Sequence, residues 1–230
     1  MDFSGIISSL FSIIAQTDSG GALNWLTEKF IAGGGFMWPI LGCLILGLAF
    51  CFERIWTLTR SRTNTKQFIV NIRRALDDSG IEGAKELCAN TRGPVASVFH
   101  AGLLRADEGM EAAEKAIIAY GGIEMGFLER GMIWISLFIS LAPMLGFTGT
   151  VQGMIDAFDA IKEAAQISPA IVADGIAVAL LTTLFGLVCA MILQVFYNFI
   201  VSRIDSLVGD MEEASIELID ALYEIKTKKK

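Results

Sequence analysis

The chain is poor in the residues that carry out chemistry. A single histidine, His100, leaves no Ser/His/Asp set, and neither a glycine-rich phosphate loop nor a paired-histidine motif occurs, so an enzyme is not expected. His100 itself is expected to have a surface or packing role. The four cysteines, Cys43, Cys51, Cys88 and Cys189, have spacings that fit neither a metal site nor a disulfide framework, and they read as small apolar residues. No metal and no cofactor is expected. Basic residues number 18 against 25 acidic ones, a formal charge of −7, with no basic face interleaved with aromatics, which excludes nucleic acid as a partner. No strand-like alternation and no internal repeat is visible, and the missing repeat argues against a small secondary transporter.

Charge is also absent where the chain is most apolar. Residues 36–52, 131–155 and 175–202 contain no Asp, Glu, Lys or Arg, within a chain that is 53% apolar and has a mean hydropathy of +0.57. About 20 apolar residues cross the hydrocarbon core of a bilayer. Three transmembrane helices follow, at 35–57, 131–155 and 175–202, so the fold expected is an all-α integral membrane protein. Eleven Lys and Arg residues lie between the first and second spans and five follow the third, with only Lys29 and Lys162 elsewhere. The positive-inside rule then places 58–130 in the cytoplasm as a helical domain and 203–230 there as a helix with a basic tail. Residues 1–34 become a periplasmic or interfacial amino-terminal segment, and 156–174 a periplasmic connection. The opening "MDFSGIISSLFSIIAQTDSG" starts with an acid and lacks a basic n-region, so an interfacial helix is expected there rather than a signal peptide. The terminal "KTKKK" reads as a solvated end that satisfies topology, with attraction to anionic membrane lipid as the other reading.

The cytoplasmic segments carry helical patterns. "KQFIVNIRRAL" places Phe68, Ile69, Ile72 and Leu76 on one face, a loop is expected at "DDSG", and "EGAKELCAN" resumes the helix. The next helix has Pro94 near its first turn and Gly109 near its stop. From Met110 the sequence enters the second span without a strong breaker, so one long helix over 110–161 is expected. The third span similarly continues into an amphipathic helix with apolar residues at 204, 207, 208, 211, 216, 219 and 222.

Within the second and third spans the small and weakly polar residues fall into stripes. Ser136, Ser140, Pro143, Gly146, Thr150, Gly153 and Ala157 recur every three or four positions in one. Gly175, Ala179, Thr183, Gly186, Ala190, Gln194 and Tyr197 do so in the other, with Thr182 and Asn198 beside them. Small residues at this spacing let membrane helices approach closely. The same faces could equally line a hydrated path, with hydroxyls and the carbonyl freed by Pro143 as oxygen ligands. No acid lies inside any of the three windows, so a titrating group for ion passage would have to come from another chain.

"APMLGFTGTVQGMIDAF" followed by "GIAVALLTTLFGLVCAMILQVFYN" resembles the signature of the TolQ, ExbB and MotA family of ion-channel subunits, closest to its three-span ExbB and TolQ branch. The resemblance implies a homo-oligomeric ring, a pentamer, whose pore is lined by the second and third spans. It implies a single-span ExbD/TolR-like partner whose intramembrane aspartate takes and releases the ion, and a TonB/TolA-like transducer beyond it. Thr150 and Thr183 would be the pore hydroxyls, joined by Thr182, while Pro143, Gly146, Gly175, Ala179 and Gly186 would shape the pore face. The implied function is a bacterial inner-membrane motor subunit that uses the proton motive force to energise a periplasmic or outer-membrane process such as TonB-dependent transport. One departure stands out: the branch usually reads "GIAEAL", and the glutamate position here is Val178. Losing that carboxylate beside an added hydroxyl at Thr182 makes sodium an alternative to protons as the translocated ion. A non-conducting scaffold for an export or gliding apparatus is the rival reading, with the stripes serving packing alone.

Overall fold

A computed structural model describes residues 19–60, 65–164 and 169–228, and among these the regular structure is entirely helical. Seven α-helices follow one another: α1 (Ser19–Ala32), α2 (Met37–Arg60), α3 (Thr65–Asn90), α4 (Pro94–Arg105), α5 (Met110–Glu129), α6 (Met132–Ala164) and α7 (Pro169–Lys228), with a 3₁₀ turn at Ala106–Glu108. Three stretches are long and apolar enough to cross a membrane, within Met37–Arg60, Met110–Glu163 and Val172–Glu224. The first 18 residues, where an interfacial helix is expected, lie outside the described residues.

Helix boundaries follow local backbone chemistry. Pro94 opens α4, where its missing N–H leaves no bond unmade, and Gly109 separates the 3₁₀ turn from α5 with φ 126°. At "DDSG" the break is a single residue, Gly80, with φ 70° inside α3. The uninterrupted helix expected over 110–161 is not what forms. Arg130 leaves the helical region at ψ 127° and Gly131 takes φ 91°, so α5 ends and α6 begins afresh. The positive φ favours glycine at this position, and a Cβ there would stand 2.9 Å from Arg54 Nε, so the arginine side chain would have to shift. The third span behaves as its amphipathic pattern suggests, with α7 running unbroken for 60 residues.

The chain divides into two compact units whose boundaries fall inside α2, α6 and α7. One comprises the described residues up to Leu48 together with Ser136–Gln194. Its core is narrow: Ile40, Cys43, Ala142, Ala157, Ala179, Cys189 and Leu193 are buried, Gly47 accommodates Leu193, and Cys189 Sγ faces the Ile40 carbonyl at 3.9 Å. Large apolar side chains point outward, among them Phe147, Val151, Ile155 and Phe158 on α6 and Leu180, Leu184, Leu187 and Met191 on α7. Water does not tolerate contiguous apolar surface of this kind, whereas lipid or neighbouring chains do.

The other unit comprises Ala49–Ile135 and the described residues from Val195 on. Phe68 of α3 packs on Phe99 of α4 with ring centroids 5.6 Å apart, and Ile72, Leu76, Ala84, Cys88, Val98 and Leu103 complete a buried layer. Ile117 of α5 closes on Gly102 of α4. Lys85 pairs with Glu82 of its own helix at 2.7 Å and ties α3 to the 3₁₀ turn through Asp107 at 3.2 Å. In this unit α7 buries Ile200, Ile204, Leu207, Met211, Ala214, Leu218 and Ala221, a 4-3-4-3 spacing that holds one seam inward.

Candidate functional site

The site is built where α6 meets α7 with almost no side chain between their backbones. A Cβ on Gly186 would stand 2.7 Å from the Ala142 carbonyl oxygen and 3.2 Å from Gly146 Cα. One on Gly146 would meet the Thr182 carbonyl oxygen at 2.9 Å and Thr183 Cα at 3.1 Å. Further along, a Cβ on Gly153 would stand 3.0 Å from the Gly175 carbonyl oxygen and 3.1 Å from Ala179 N, and one on Gly175 would run into Ala157. Four glycines and Ala179 thus make a close backbone seam, the geometry that small residues at three- and four-residue spacing give membrane helices.

Hydroxyls are set into and beside that seam. Thr182 is 0% exposed, and its Oγ1 donates back to the carbonyls of Val178 and Ala179, at 3.2 and 2.9 Å. Gly149 is what makes room for it, since a Cβ there would lie 2.6 Å from Thr182 Oγ1. Thr183, half-buried, donates across the seam to the Gly146 carbonyl at 3.3 Å. Thr150, also half-buried, donates to the Phe147 carbonyl at 2.5 Å. In an α-helix the Gly146 carbonyl also receives the Thr150 amide. The Thr183 hydroxyl and the Thr150 amide therefore share the Gly146 carbonyl, while the Thr150 hydroxyl is turned to Phe147 and Thr182 packs against Gly149. Pro143, one turn earlier, cannot donate to the Ile139 carbonyl and leaves that oxygen available. The Val178 side chain leans toward Gly34, 3.8 Å from where a Cβ on that residue would be.

Acids stay at the edge of this arrangement. Asp156 accepts from Gln152 Nε2 at 2.8 Å and lies six residues, about 9 Å along the helix, from Thr150. Asp174 is exposed and nine residues, about 14 Å, from Thr183. Neither reaches the threonines directly. No group of His, Cys, Asp and Glu among the described residues has the geometry to hold a metal ion. The arrangement can offer oxygen ligands and hydrogen bonds to a passing ion or water, but no base and no titrating acid.

Two features of the seam are missing from the sequence reading. The buried line on α7 runs through Ala179, Thr182, Gly186, Cys189 and Leu193, one position away from Thr183, Ala190 and Gln194 of the stripe. On α6 it takes in Ala142 and Gly149, which the stripe passes over. Steps of three and of four both fit the helical repeat, and which of two neighbouring positions is buried is set by how the two helices are rotated against each other.

A helical chain with three candidate membrane spans and a close α6–α7 seam carrying hydroxyls has the form of a polytopic membrane protein. The sequence profile of the MotA/TolQ/ExbB proton channel family matches residues 90–213, more than half of the chain. The chain belongs to this family. It is 32% identical over 186 residues to a biopolymer transport protein ExbB homolog of Methanothermobacter thermautotrophicus, an alignment covering 80% of this chain and 66% of that protein. Shorter similarities connect it to ExbB of Salmonella typhimurium, 31% identical over 40% of this chain and 38% of the relative, and to the Tol-Pal system protein TolQ of Haemophilus influenzae, 34% identical over 38% of each. The chain thus spans just under two thirds of the first relative and little more than a third of the other two.

Proposed function

We propose that the chain is the pore-forming subunit of an ExbB/TolQ-like inner-membrane motor, assembled as a pentameric ring around a single-span ExbD/TolR-like partner. The observation that carries this reading is the hydroxyl-bearing α6–α7 seam with no carboxylate in reach of it. Ion passage through such a wall needs a group that can take up and release charge, and the partner's intramembrane aspartate supplies it. Thr150 and Thr183 relay or ligate the ion, Thr182 with the glycines fixes the wall behind them, and Pro143 leaves a carbonyl open along the same face.

The basic residues between the first two spans and after the third support an amino terminus outside and a carboxyl terminus in the cytoplasm. Each charge that crosses 100 mV delivers about 2.3 kcal/mol, so several ions drive one mechanical step. That step is passed through a TonB/TolA-like transducer to a periplasmic or outer-membrane process such as TonB-dependent transport. Protons are the assigned ion, and Val178 in place of the branch's glutamate makes the sodium comparison part of the test.

The test is ion flux in liposomes containing this chain co-purified with its single-span partner, under proton-only and sodium-containing gradients. Parent, Thr150→Val and Thr183→Val assemblies are compared. Partner-dependent proton flux that falls on either substitution is the expected result. Flux only with sodium reassigns the ion. An intact assembly that stays silent under both gradients favours the scaffold reading, in which the seam serves packing alone.

A further inference from the structure

Where α7 leaves its uncharged run, it forms a small cavity with the end of α2 that no part of the proposed ion path uses. The cavity, of about 160 Å³, has Ile55, Phe199 and Ile200 among its apolar walls and Thr59, Arg203 and Ser206 as its polar edge. Arg203 is the first charged residue after 175–202. Its guanidinium carbon lies over the Phe199 ring, 5.1 Å from the centroid, and pairs with no carboxylate among the described residues. The Thr59 hydroxyl is committed to the Ile55 carbonyl at 2.7 Å, so the donors turned to the cavity are Arg203 and Ser206.

Depth identifies what such donors would meet. The 28-residue uncharged run is about 42 Å long as a helix, against a hydrocarbon core of about 30 Å, so its ends stand at the level of the lipid phosphates. A planar guanidinium matches phosphate oxygens bidentately. The walls below it are apolar, and exposed Val195 and Phe199 continue them along α7. A free phosphate would gain nothing from those walls, whereas a phospholipid lays its glycerol and acyl chains on them. A zwitterionic head already has its own ammonium beside the phosphate, so a lone guanidinium favours a net negative head.

We infer that the cavity between α2 and α7 is a binding site for one anionic phospholipid, its phosphate held by Arg203 and Ser206 and its chains lying against Ile55, Phe199 and Val195. The inference needs only the membrane spans and stands apart from the ion path.

Native mass spectrometry of the full-length protein in mild detergent tests it, titrating phosphatidylglycerol, phosphatidylcholine and inorganic phosphate separately. Phosphatidylglycerol should bind more tightly than phosphatidylcholine by on the order of tenfold. Arg203→Gln should bring the two lipids within about twofold, and Arg74→Gln, on α3 outside the cavity, should leave the preference intact. Arg203→Lys keeps the charge without the planar fork and should retain part of the preference. Ile55→Trp, which fills the apolar side, should weaken both lipids. An undiminished preference in Arg203→Gln, or an equal loss in Arg74→Gln, overturns the site. Should Arg203→Gln fail to fold, a full preference in Arg203→Lys together with undiminished binding of both lipids to Ile55→Trp overturns it instead. Inorganic phosphate that displaces phosphatidylglycerol at equal concentration assigns the site to a free anion and overturns the lipid.

Discussion

At the residue scale, Thr182 and Thr183 are adjacent, identical in chemistry and different in what they hold. Thr182 Oγ1 bonds only within its own helix and is enclosed, while Thr183 Oγ1 reaches the Gly146 carbonyl on α6. Thr183→Val should therefore lower the unfolding free energy of the purified chain by about 0.6 to 1.5 kcal/mol, the range for one interhelical hydrogen bond. Thr182→Val, which keeps the shape and breaks no bond between helices, should cost less in the same denaturant series. Equal losses would mean that the two hydroxyls are not distinguished as described. Cys88 offers a second check, in the helical layer outside the spans. It is 3% exposed, and burial pushes its thiol up to about 12. A maleimide at pH 7 should leave it unmodified in the folded chain and label it on unfolding. The sign of the linkage is fixed as well: above the ordinary thiol range near 8.5 the unfolded chain ionises while the folded one does not, so this group's contribution to stability declines from there up to about pH 12.

At the element scale, the break at Gly131 is the feature that separates α5 from α6. Gly131→Ala would place a Cβ against Arg54 and force a side-chain-bearing residue into φ 91°. Melting of the purified protein should report a loss of about 1 to 2 kcal/mol or more, while Gly126→Ala, a helical glycine with open space around it, should be neutral or stabilising. The same element marks where the sequence stops being informative. "FLERGMIW" is compatible with a helix throughout and glycine is common in membrane helices, so the residue types do not mark the backbone break at Arg130 and Gly131. The extension of α7, in contrast, is legible because its apolar residues keep helical spacing through seven acidic residues and on past Gly209. So are the starts and stops at Pro94 and Gly109, where the residue type alone restricts the backbone. The seam between α6 and α7 is legible as a pair of small-residue stripes, but not to the residue. Two adjacent threonines satisfy a step of three and a step of four equally well, and the room that Gly149 leaves for Thr182 depends on how the helices are rotated.

At the scale of the whole molecule, the defining property is the separation of wall from acid. The chain supplies three candidate spans, a close helix pair and hydroxyls, and places its nearest carboxylates, Asp156 and Asp174, about 9 and 14 Å along their helices from the threonines. Membership in the MotA/TolQ/ExbB proton channel family fits a wall of this kind, and the account completes it with a charge-carrying partner. Partner dependence is therefore its central claim. The measurement that tests it most directly is proton flux into liposomes for three preparations of verified integrity: this chain alone, the chain with its single-span partner, and the chain with a partner whose intramembrane aspartate is replaced by asparagine. The account predicts flux in the second preparation only. Flux through the chain alone, or flux undiminished by the asparagine partner, would contradict it.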